Sequence, residues 1–361
     1  MAYYSPSRTL AFTWHRQPVP GLPPERTSTY GSGREALYAL ARYLGPTGTV
    51  LLPAWAPEGV FQPFQLAGWT IVFYPLDQAG APKTAELVAT LQERPVHLLV
   101  LIHYFGQRQA TEKILNLLPP TTALLEDWAH TYPTATWPAP GGQHWALFSP
   151  NKLAGITDGA WLVGPTVLPL PAHPVARRKV GYVFWRLIYL VATSVGVRTA
   201  LLRGFCLRVA GFTYRKSYQL LLRQTAQPGP VSGVGRWLVE HLPQQELVER
   251  RLEQATYYHA HLNQPRLRSL LGEVPTHHPL IGYPVWVADR AHFEAYLAQH
   301  QIRGQVFTDS WWFVPPAETE KFAESRVLLA HHFLLPINQN MDLTAVAAIV
   351  RVVNGYRGPA D

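Results

Sequence analysis

Short apolar runs alternate with helically spaced apolar positions through the first half of the chain. Apolar residues at 36, 37, 40, 41 and 44 share one helix face, and Ser32 is a predicted N-cap with Glu35 three residues later. Strands are predicted at residues 50–53, 69–74, 96–103, 122–126, 146–149 and 160–163. Helices are predicted between them at residues 60–67, 85–92 and 114–118. This alternation predicts an α/β fold with a doubly wound, mostly parallel sheet over residues 31–165.

The remaining segments have different patterns. Residues 1–30 are rich in Pro and Thr and are predicted to form an extended N-terminal arm, followed by a large domain at residues 31–170. Residues 230–361 mix both periodicities and predict a smaller α+β C-terminal domain. Its predicted elements are helical structure at 234–262, a strand at 277–287, a helix at 290–299, a strand at 334–337 and a helix at 343–353.

Residues 171–229 are predicted to form a helical insert that is apolar, aromatic and basic. Residues 180–197 are apolar but carry Arg186, whereas a membrane-spanning helix needs about 20 apolar residues with few charges. The basic residues that flank or follow this run are Arg177, Arg178, Lys179, Arg198, Arg203, Arg208, Arg215 and Lys216. The pattern favours an amphipathic helix pair that packs internally or at a dimer face. Peripheral contact with an anionic membrane is the less favoured alternative.

Composition narrows the classes of function. Of the 361 residues, 47% are hydrophobic and 15% charged, which is typical of a globular protein with a large core. The net charge of +8 favours anionic ligands, but no basic run resembles a nucleic-acid-binding arm, so no nucleic-acid partner is expected. The single cysteine, Cys206, excludes an internal disulfide, and residues 1–24 lack the apolar core of a secretion signal. A cytoplasmic protein is expected.

Two charged residues stand where the predicted sheet would bind a ligand. Asp127 follows the apolar run 122–126, and Lys152 follows the run 146–149 in the pattern Ser149-x-x-Lys152. Open α/β sheets bind ligands at the carboxyl ends of their strands. Lysine is rarely buried without a partner or a role, and burial makes its amine a good Schiff-base nucleophile. We therefore predict that Asp127 and Lys152 belong to one active site.

The start of the first predicted helix is a second candidate site. Gly31-Ser32-Gly33-Arg34 leads into this helix, and the N–H groups and dipole of a helix N-terminus favour phosphate. An ordinary capped helix has the same pattern, so both interpretations stay open for this segment. No metal site is expected, because the pairs His277-His278 and His331-His332 would point apart on a strand.

Three motifs, taken together and in order, resemble a known enzyme class. They are Ile102-His103-Tyr104-Phe105-Gly106-Gln107, then Leu125-Glu126-Asp127-Trp128-Ala129-His130, then Phe148-Ser149-Pro150-Asn151-Lys152 with Asp158-Gly159 after it. This order resembles the pyridoxal 5'-phosphate (PLP)-dependent enzymes of the aspartate-aminotransferase fold type, and among them the DegT/DnrJ-type sugar aminotransferases. The resemblance spans residues 31–164, with weaker matches at 249–258 and 335–337.

The resemblance implies PLP as the cofactor and assigns roles around it. Lys152 would form the Schiff base with PLP, and Asp127 would pair with the pyridinium nitrogen and keep it protonated. The cofactor phosphate would be bound by the Ser149 hydroxyl and by the backbone N–H groups of Ser32, Gly33 and Arg34.

Some positions differ from the pattern of that family. His130 stands where the family usually has Gln, and either side chain can hydrogen-bond the ring hydroxyl. Trp55 or His103 would stack on the ring, although the family's stacking aromatic falls at Pro57 here. The family's Asn-x-Arg before the long helix is absent from residues 228–232. Arg34 or another basic residue would then supply that charge, or substrate recognition would differ.

The resemblance implies a homodimeric transaminase that moves an amino group from an amino acid, with glutamate expected, to a keto acceptor. A keto-sugar nucleotide is the expected acceptor. A second hypothesis keeps PLP but changes the reaction to elimination or dehydration, although Lys152 opposes the family's dehydratase branch, which has His there. A third is a non-catalytic binding protein, favoured by the basic insert and opposed by the retained Lys152, Asp127 and Ser149.

Overall fold

A computed structural model describes residues 9–17, 22–134, 142–169, 177–199, 201–308 and 311–358. The elements of the first half are β1 (Thr27–Tyr30), α1 (Gly33–Leu44), β2 (Thr49–Pro53), α2 (Glu58–Leu66), β3 (Thr70–Tyr74), α3 (Thr84–Glu93), β4 (Leu98–Ile102), α4 (Thr111–Leu115), β5 (Ala123–Asp127), β6 (His144–Phe148) and β7 (Ala160–Val163). Apart from β1, which lies in the predicted arm, their order and type agree with the elements predicted from the apolar runs.

The second half is mostly helical. Its elements are α5 (Arg177–Arg198), α6 (Arg203–Gln224), α7 (Gly233–Glu240), α8 (Gln244–His261), β8 (Leu267–Ser269), β9 (Tyr283–Val287), α9 (Arg290–Gln299), α10 (Ala323–His331), β10 (His332–Leu335) and α11 (Leu343–Asn354). The predicted helical pair of the insert corresponds to α5 and α6, which pack against each other as a hairpin.

The central sheet has seven strands in the order β1-β7-β6-β5-β4-β2-β3. Strands β3, β2, β4, β5 and β6 are parallel, whereas β7 pairs antiparallel with β6 and β1 pairs antiparallel with β7. Every residue of β4 and β5 is buried, as expected for parallel strands that are covered on both faces. The predicted α/β class with a mostly parallel sheet is confirmed.

A second, three-stranded antiparallel sheet has the order β10-β9-β8. Its strands form a separate hydrophobic cluster with α8, α9 and α11. Two sequence predictions are wrong here in their bounds. The strand predicted at 277–287 begins only at Tyr283, and the helical structure predicted at 234–262 is two helices, because α7 ends at Glu240 and Pro243 caps α8.

The described parts of the predicted arm pack against the rest of the protein. Its end pairs as β1 with β7, and earlier residues contact the second half of the chain. Leu10 N–H donates to Ser194 Oγ (2.8 Å), and Thr13 N–H donates to the His241 carbonyl (2.6 Å). Residues 1–8 and 18–21 of the arm lie outside the described residues.

One helix in the described part of the chain, Lys179–Arg198, is long and apolar enough to cross a membrane on length and composition alone. In its most apolar window, 44% is buried inside the protein. Such partial burial is also what a packed core helix would show.

Candidate active site at the carboxyl edge of the central sheet

The parallel strands end together at one edge of the sheet, and the predicted site residues follow them. Asp127, the last residue of β5, lies opposite Ile102 of β4 and Leu147 of β6. Strand β6 ends one residue before Ser149, and a 3-10 turn over Pro150–Lys152 follows. Asp127, Ser149 and Lys152 line one cavity of about 570 Å³, a size typical of small-molecule sites.

A backbone N–H group two residues further along the chain holds the carboxylate of Asp127 in place. Its Oδ1 accepts a hydrogen bond from Ala129 N–H (2.9 Å), and only 3% of the residue is exposed. Because Trp128 N–H donates to the Leu147 carbonyl (2.8 Å), the chain continues the sheet for one more residue past Asp127. The carboxylate is therefore fixed against the wall of the cavity.

The N-terminus of α1 closes a second side of the cavity. Ser32 caps the helix, with its Oγ accepting from Glu35 N–H (3.3 Å), as its spacing predicted. Gly33 lies so close to Ser149 that a Cβ on it would be 2.7 Å from Ser149 Oγ. The Ser149 hydroxyl thus lies beside the first turn of a 12-residue helix, where free N–H groups and the helix dipole favour an anion.

His130 lies against an aromatic wall of the same cavity. Its Nδ1 accepts a hydrogen bond from Phe105 N–H (3.0 Å), and its ring stacks near those of Phe307 (5.1 Å) and Trp311 (5.7 Å). Phe105 has a φ of 64° and Gly106 a φ of 99°, so the chain makes a left-handed turn here. The motif around residues 103–107 therefore forms a tight turn that orients His130.

Comparison of the sequence with known proteins identifies no relative: no family model matches the chain, and no curated protein matches it. Comparison of the structure finds solved proteins with a similar fold. Spr1654 from Streptococcus pneumoniae, a candidate sugar aminotransferase solved in its PMP form, is 14% identical with a TM-score of 0.64, over 98% of this chain and 97% of that chain.

Two further solved structures agree. The sugar aminotransferase CalS13 from Micromonospora echinospora is 16% identical with a TM-score of 0.61, over 91% of this chain and 87% of that chain. A DegT DnrJ EryC1 StrS aminotransferase from Brucella abortus is 15% identical with a TM-score of 0.58, over 92% and 86%. This chain has the aminotransferase fold.

Two residues that were expected to stack on a cofactor ring in this aminotransferase fold do not line the cavity. Trp55 is fully buried, with its ring stacked on Tyr104 at 4.7 Å. His103 is also fully buried and stacks on Trp128 at 3.3 Å. Each ring is turned into the protein and is covered by another aromatic side chain, so the structure brings neither ring to the cavity, and the two stacking assignments stay predictions. Pro57 does line the cavity.

His103 instead belongs to a buried hydrogen-bond network behind the site. Gln109 N–H donates to its Nδ1 (2.9 Å), so the ring proton is on Nε2 and is donated to Glu126 Oε2 (2.7 Å). Burial lowers the pKa of His103, and the bond to Glu126 only partly opposes this. Burial alone would raise the pKa of Glu126, but bonds from His103, His144 and Thr111 outweigh it and hold that pKa well below its usual value. A neutral histidine and an ionised carboxylate follow.

Arg34 forms part of the cavity wall, with its guanidinium held by protein groups. It pairs with Glu58 Oε2 (3.2 Å) and donates to Gln62 Oε1 (2.6 Å) and to the Tyr218 hydroxyl (3.0 Å). Its backbone remains in the first turn of α1, where the sequence placed it. Its side-chain charge is already compensated within the protein.

Sequence reasoning missed several cavity-lining residues, and the largest group of them comes from the α5–α6 hairpin. The cavity-lining residues of the hairpin are Tyr182, Arg186, Tyr214, Ser217, Tyr218 and Leu221. Their spacing within each helix is that of one face. The available signal was Arg186 itself, a charge within an apolar run, but nothing in the sequence shows which way the insert folds.

Proposed function

We propose that the protein is a PLP-dependent aminotransferase that moves an amino group from an amino acid, with glutamate as the expected donor, to the keto group of an anionic small molecule. A keto-sugar nucleotide is the proposed acceptor. One observation carries the proposal: a single cavity brings together Lys152, the buried Asp127 carboxylate and the contact between Ser149 and Gly33 at a helix N-terminus.

The donor set of this cavity fits PLP. A phosphate needs N–H and O–H donors, which the Ser149 hydroxyl and the first turn of α1 at Ser32 and Gly33 offer together. A pyridinium nitrogen needs a buried anion, and Asp127 is a carboxylate at 3% exposure. His130, with its ring held by Phe105 N–H, would contact the ring hydroxyl. When bound, PLP supplies an electron sink for charge that develops at the substrate carbon.

The protein's own groups would then do the following. Asp127 holds the proton on the ring nitrogen, which keeps the sink effective. Lys152 Nζ would take the proton from the Cα of the amino donor as general base in one half-reaction, and as general acid it would deliver a proton to the former keto carbon of the acceptor in the other. The aromatic wall formed by Phe307 and Trp311 excludes water from this proton transfer.

The proposal includes a cytoplasmic homodimer. The dimer is supported by the family resemblance described above, which implies dimers, and the cytoplasmic location by the single cysteine, which fits a reducing compartment. Light scattering of the purified protein at several concentrations would show a dimer mass. A monomer at all concentrations would contradict this part alone.

The central test is where PLP attaches. Purified protein incubated with PLP is reduced with borohydride, digested and examined by peptide mass spectrometry. The label is expected on Lys152, absent from Lys152→Ala and unchanged in Lys321→Ala, which replaces an exposed lysine. Labelling of Lys152→Ala to the wild-type level at other lysines would contradict the assignment.

The reaction type is tested separately. Visible absorbance of the PLP-loaded protein is expected to bleach on addition of glutamate and to recover on addition of 2-oxoglutarate. Bleaching with another amino acid alone would keep the transaminase and change the donor. A band that no amino acid bleaches would favour elimination or dehydration on PLP instead.

A further inference from the structure

The cavity contains a buried guanidinium with unused hydrogen-bond donors. Arg186 of α5 lines the cavity and is only 3% exposed. Within the described residues, its Nε and Nη2 have no hydrogen-bond partner and no carboxylate forms an ion pair with it. A buried charge without such partners is costly, by several kcal/mol in general. A ligand that supplies the missing partner would remove that cost.

The two unused atoms specify the kind of partner. Nε–H and Nη2–H point in the same direction from one edge of the guanidinium plane. Two parallel donors of this kind match the two oxygens of a carboxylate or phosphate in a bidentate pair. The guanidinium carbon also lies over the rings of Tyr189 (4.9 Å) and Tyr214 (5.8 Å). These ring faces attract the charge but supply no oxygen acceptor, so the donor edge still needs an oxyanion.

The other hairpin cation near this site is already neutralised. Lys179 pairs with Glu35 Oε2 (3.3 Å) and lies against Gly31, at the start of α1. Arg34 on the opposite wall pairs with Glu58. Lys179, Tyr182 and Arg186 share one face of α5, which places Arg186 roughly 10 Å further along the helix, at 1.5 Å per residue. The hairpin therefore extends the cavity beyond the start of α1 and adds one uncompensated positive charge.

We propose that Arg186 binds an oxyanion, a carboxylate or phosphate, of the ligand that occupies this cavity. Two groups have this chemistry: the phosphate of the cofactor and an acidic group of the substrate. The proposal deepens the proposed function and rests on it for the identity of the ligand. The oxyanion site itself rests only on the position and unused donors of Arg186.

The first experiment uses inorganic phosphate and sulfate, without PLP. Their affinities are measured by calorimetry for the wild type, Arg186→Gln and Arg186→Lys. We expect Arg186→Gln to weaken binding at least about tenfold, which is 1.4 kcal/mol, and Arg186→Lys to restore only part of it because lysine lacks the paired donors. Arg208→Gln, which removes an exposed arginine of α6, is the matched control and should bind as the wild type does.

The second experiment separates the two sources. If Arg186 binds the cofactor, Arg186→Gln weakens PLP binding but leaves binding of pyridoxal, which lacks the phosphate, unchanged. If it binds substrate, PLP affinity is unchanged and the KM for the amino donor or acceptor rises. Wild-type affinities for phosphate, PLP and substrate in Arg186→Gln would overturn the proposal. Phosphate binding that depends on Arg186, in a protein that does not bind PLP, would overturn only the proposed function.

A second inference concerns the opposite face of the hairpin. Its outer face is defined by the exposed apolar residues of α5, α6 and the connecting turn, which are Val180, Phe184, Val191, Leu201, Leu202, Phe205 and Phe212. Leu201, at the turn, is 99% exposed and Phe205 is 63% exposed. On helical spacing, the members of this set in α5 lie opposite Tyr182 and Arg186, and those in α6 lie opposite Tyr214 and Tyr218. The hairpin is therefore amphipathic, but its polar face lines the cavity and its apolar face is exposed.

The charge of this segment indicates what covers the outer face. Residues 159–239 contain 11 Lys and Arg residues and no Asp or Glu. A second copy of the chain paired symmetrically through this face would bring like charges together, with no acidic residue of the segment to compensate them. Exposed aromatic and leucine side chains beside arginines and lysines are instead typical of helices that lie on anionic lipid.

The outer face is inferred to dock on an anionic membrane surface. Wild-type protein should sediment with vesicles of phosphatidylcholine and phosphatidylserine, and much less with phosphatidylcholine alone. The double variant Phe184→Ser, Phe205→Ser should lose sedimentation, whereas Leu115→Ser, an exposed leucine of α4, should retain it. No sedimentation of the wild type, or a dimer that only the double variant converts to monomer, would overturn the inference.

Discussion

At the scale of single residues, the contact between Gly33 and Ser149 links two segments that are distant in sequence. The family resemblance implied that both residues bind the cofactor phosphate, whereas the helix-cap pattern around Gly33 left an ordinary capped helix open. Sequence reasoning could not show that they touch. A Cβ in the first turn of α1 at this position would clash with Ser149 Oγ unless the serine side chain moved, so glycine lets the hydroxyl stay beside the helix N-terminus.

Gly33→Ala tests the contact. The new Cβ would lie 2.7 Å from Ser149 Oγ, and the cheapest response is for the serine to rotate away. We expect little loss of stability, below about 1 kcal/mol. PLP affinity should fall roughly tenfold to a hundredfold, because a charged hydrogen bond of about 1.5–3 kcal/mol is lost.

Fluorescence titration with PLP and urea unfolding measure the two effects of Gly33→Ala. Gly272→Ala is the control, because a Cβ at Gly272 meets nothing within 4 Å. A variant that unfolds at much lower urea, or one that binds PLP as tightly as the wild type, would show that the contact has another role.

The cavity-lining residues could be predicted from the sequence where they directly follow a predicted strand. Asp127, Ser149 and Lys152 follow apolar strands, and the geometry of parallel sheets brings strand ends together. The orientation of side chains in the turns was not predictable. Trp55 and His103 follow similar strands, yet tertiary packing against Tyr104 and Trp128 turns both rings inward.

At the scale of elements, apolar periodicity located six of the seven strands of the central sheet and predicted the helix pair of the hairpin, but it missed β1, which lies in the predicted arm. It missed β8, which has three residues and no alternation, and α10, where Leu328 and Leu329 are buried within a short helix. It also missed the break between α7 and α8. These elements are short, and their positions depend on tertiary contacts that no local pattern contains.

The hairpin offers a prediction about helix packing. At Gly196 of α5 a Cβ would lie 2.9 Å from the Cys206 Cβ of α6, and neither atom can move without its helix. We expect Gly196→Ala to separate the helices and lower the free energy of unfolding by about 1–3 kcal/mol. Gly204→Ala meets nothing within 4 Å and should be neutral or stabilise by up to about 1 kcal/mol through helix propensity.

Urea unfolding followed by circular dichroism compares the two variants of the hairpin. Opposite signs of the two changes are the expected result. Equal stabilisation by both alanines would mean that the helices do not approach closely at Gly196. The packing of α5 against α6, and with it the position of Arg186, would then differ from the one described.

At the scale of the whole molecule, the candidate active-site cavity is lined by the edge of the central sheet, by the hairpin and by loop residues next to the second sheet. Asp127 and Ser149 come from the sheet edge, Tyr182 and Arg186 from the hairpin, and Phe307 from the chain before β10. Sequence reasoning recovered the contribution of the sheet because that contribution follows a common topology. It could not recover the others, since the way in which separate units pack has no local signature.

Buried histidines should make the stability of the whole molecule depend on pH. His332 on β10 accepts a hydrogen bond from Phe307 N–H at Nε2 (2.8 Å), which requires the neutral ring. Burial, with Arg290 nearby, lowers the pKa of His332 to about 3, against roughly 6.5 in the unfolded chain. His103 is shifted in the same direction, again mainly by burial.

The sign of the effect follows from proton binding. Between pH 6.5 and 3 the unfolded chain holds a proton on residue 332 that the folded protein does not, so acid favours unfolding. This histidine should lower the free energy of unfolding by about 1.4 kcal/mol per pH unit as pH falls through that window, and it should have no effect above it.

Urea unfolding at pH 7, 6, 5 and 4 measures how steeply the free energy of unfolding changes with pH. This slope should be smaller in His332→Gln, which cannot titrate, and unchanged in His300→Gln, which replaces an exposed histidine. An equal slope in wild type and His332→Gln would show that the ring of His332 is not held neutral by the fold.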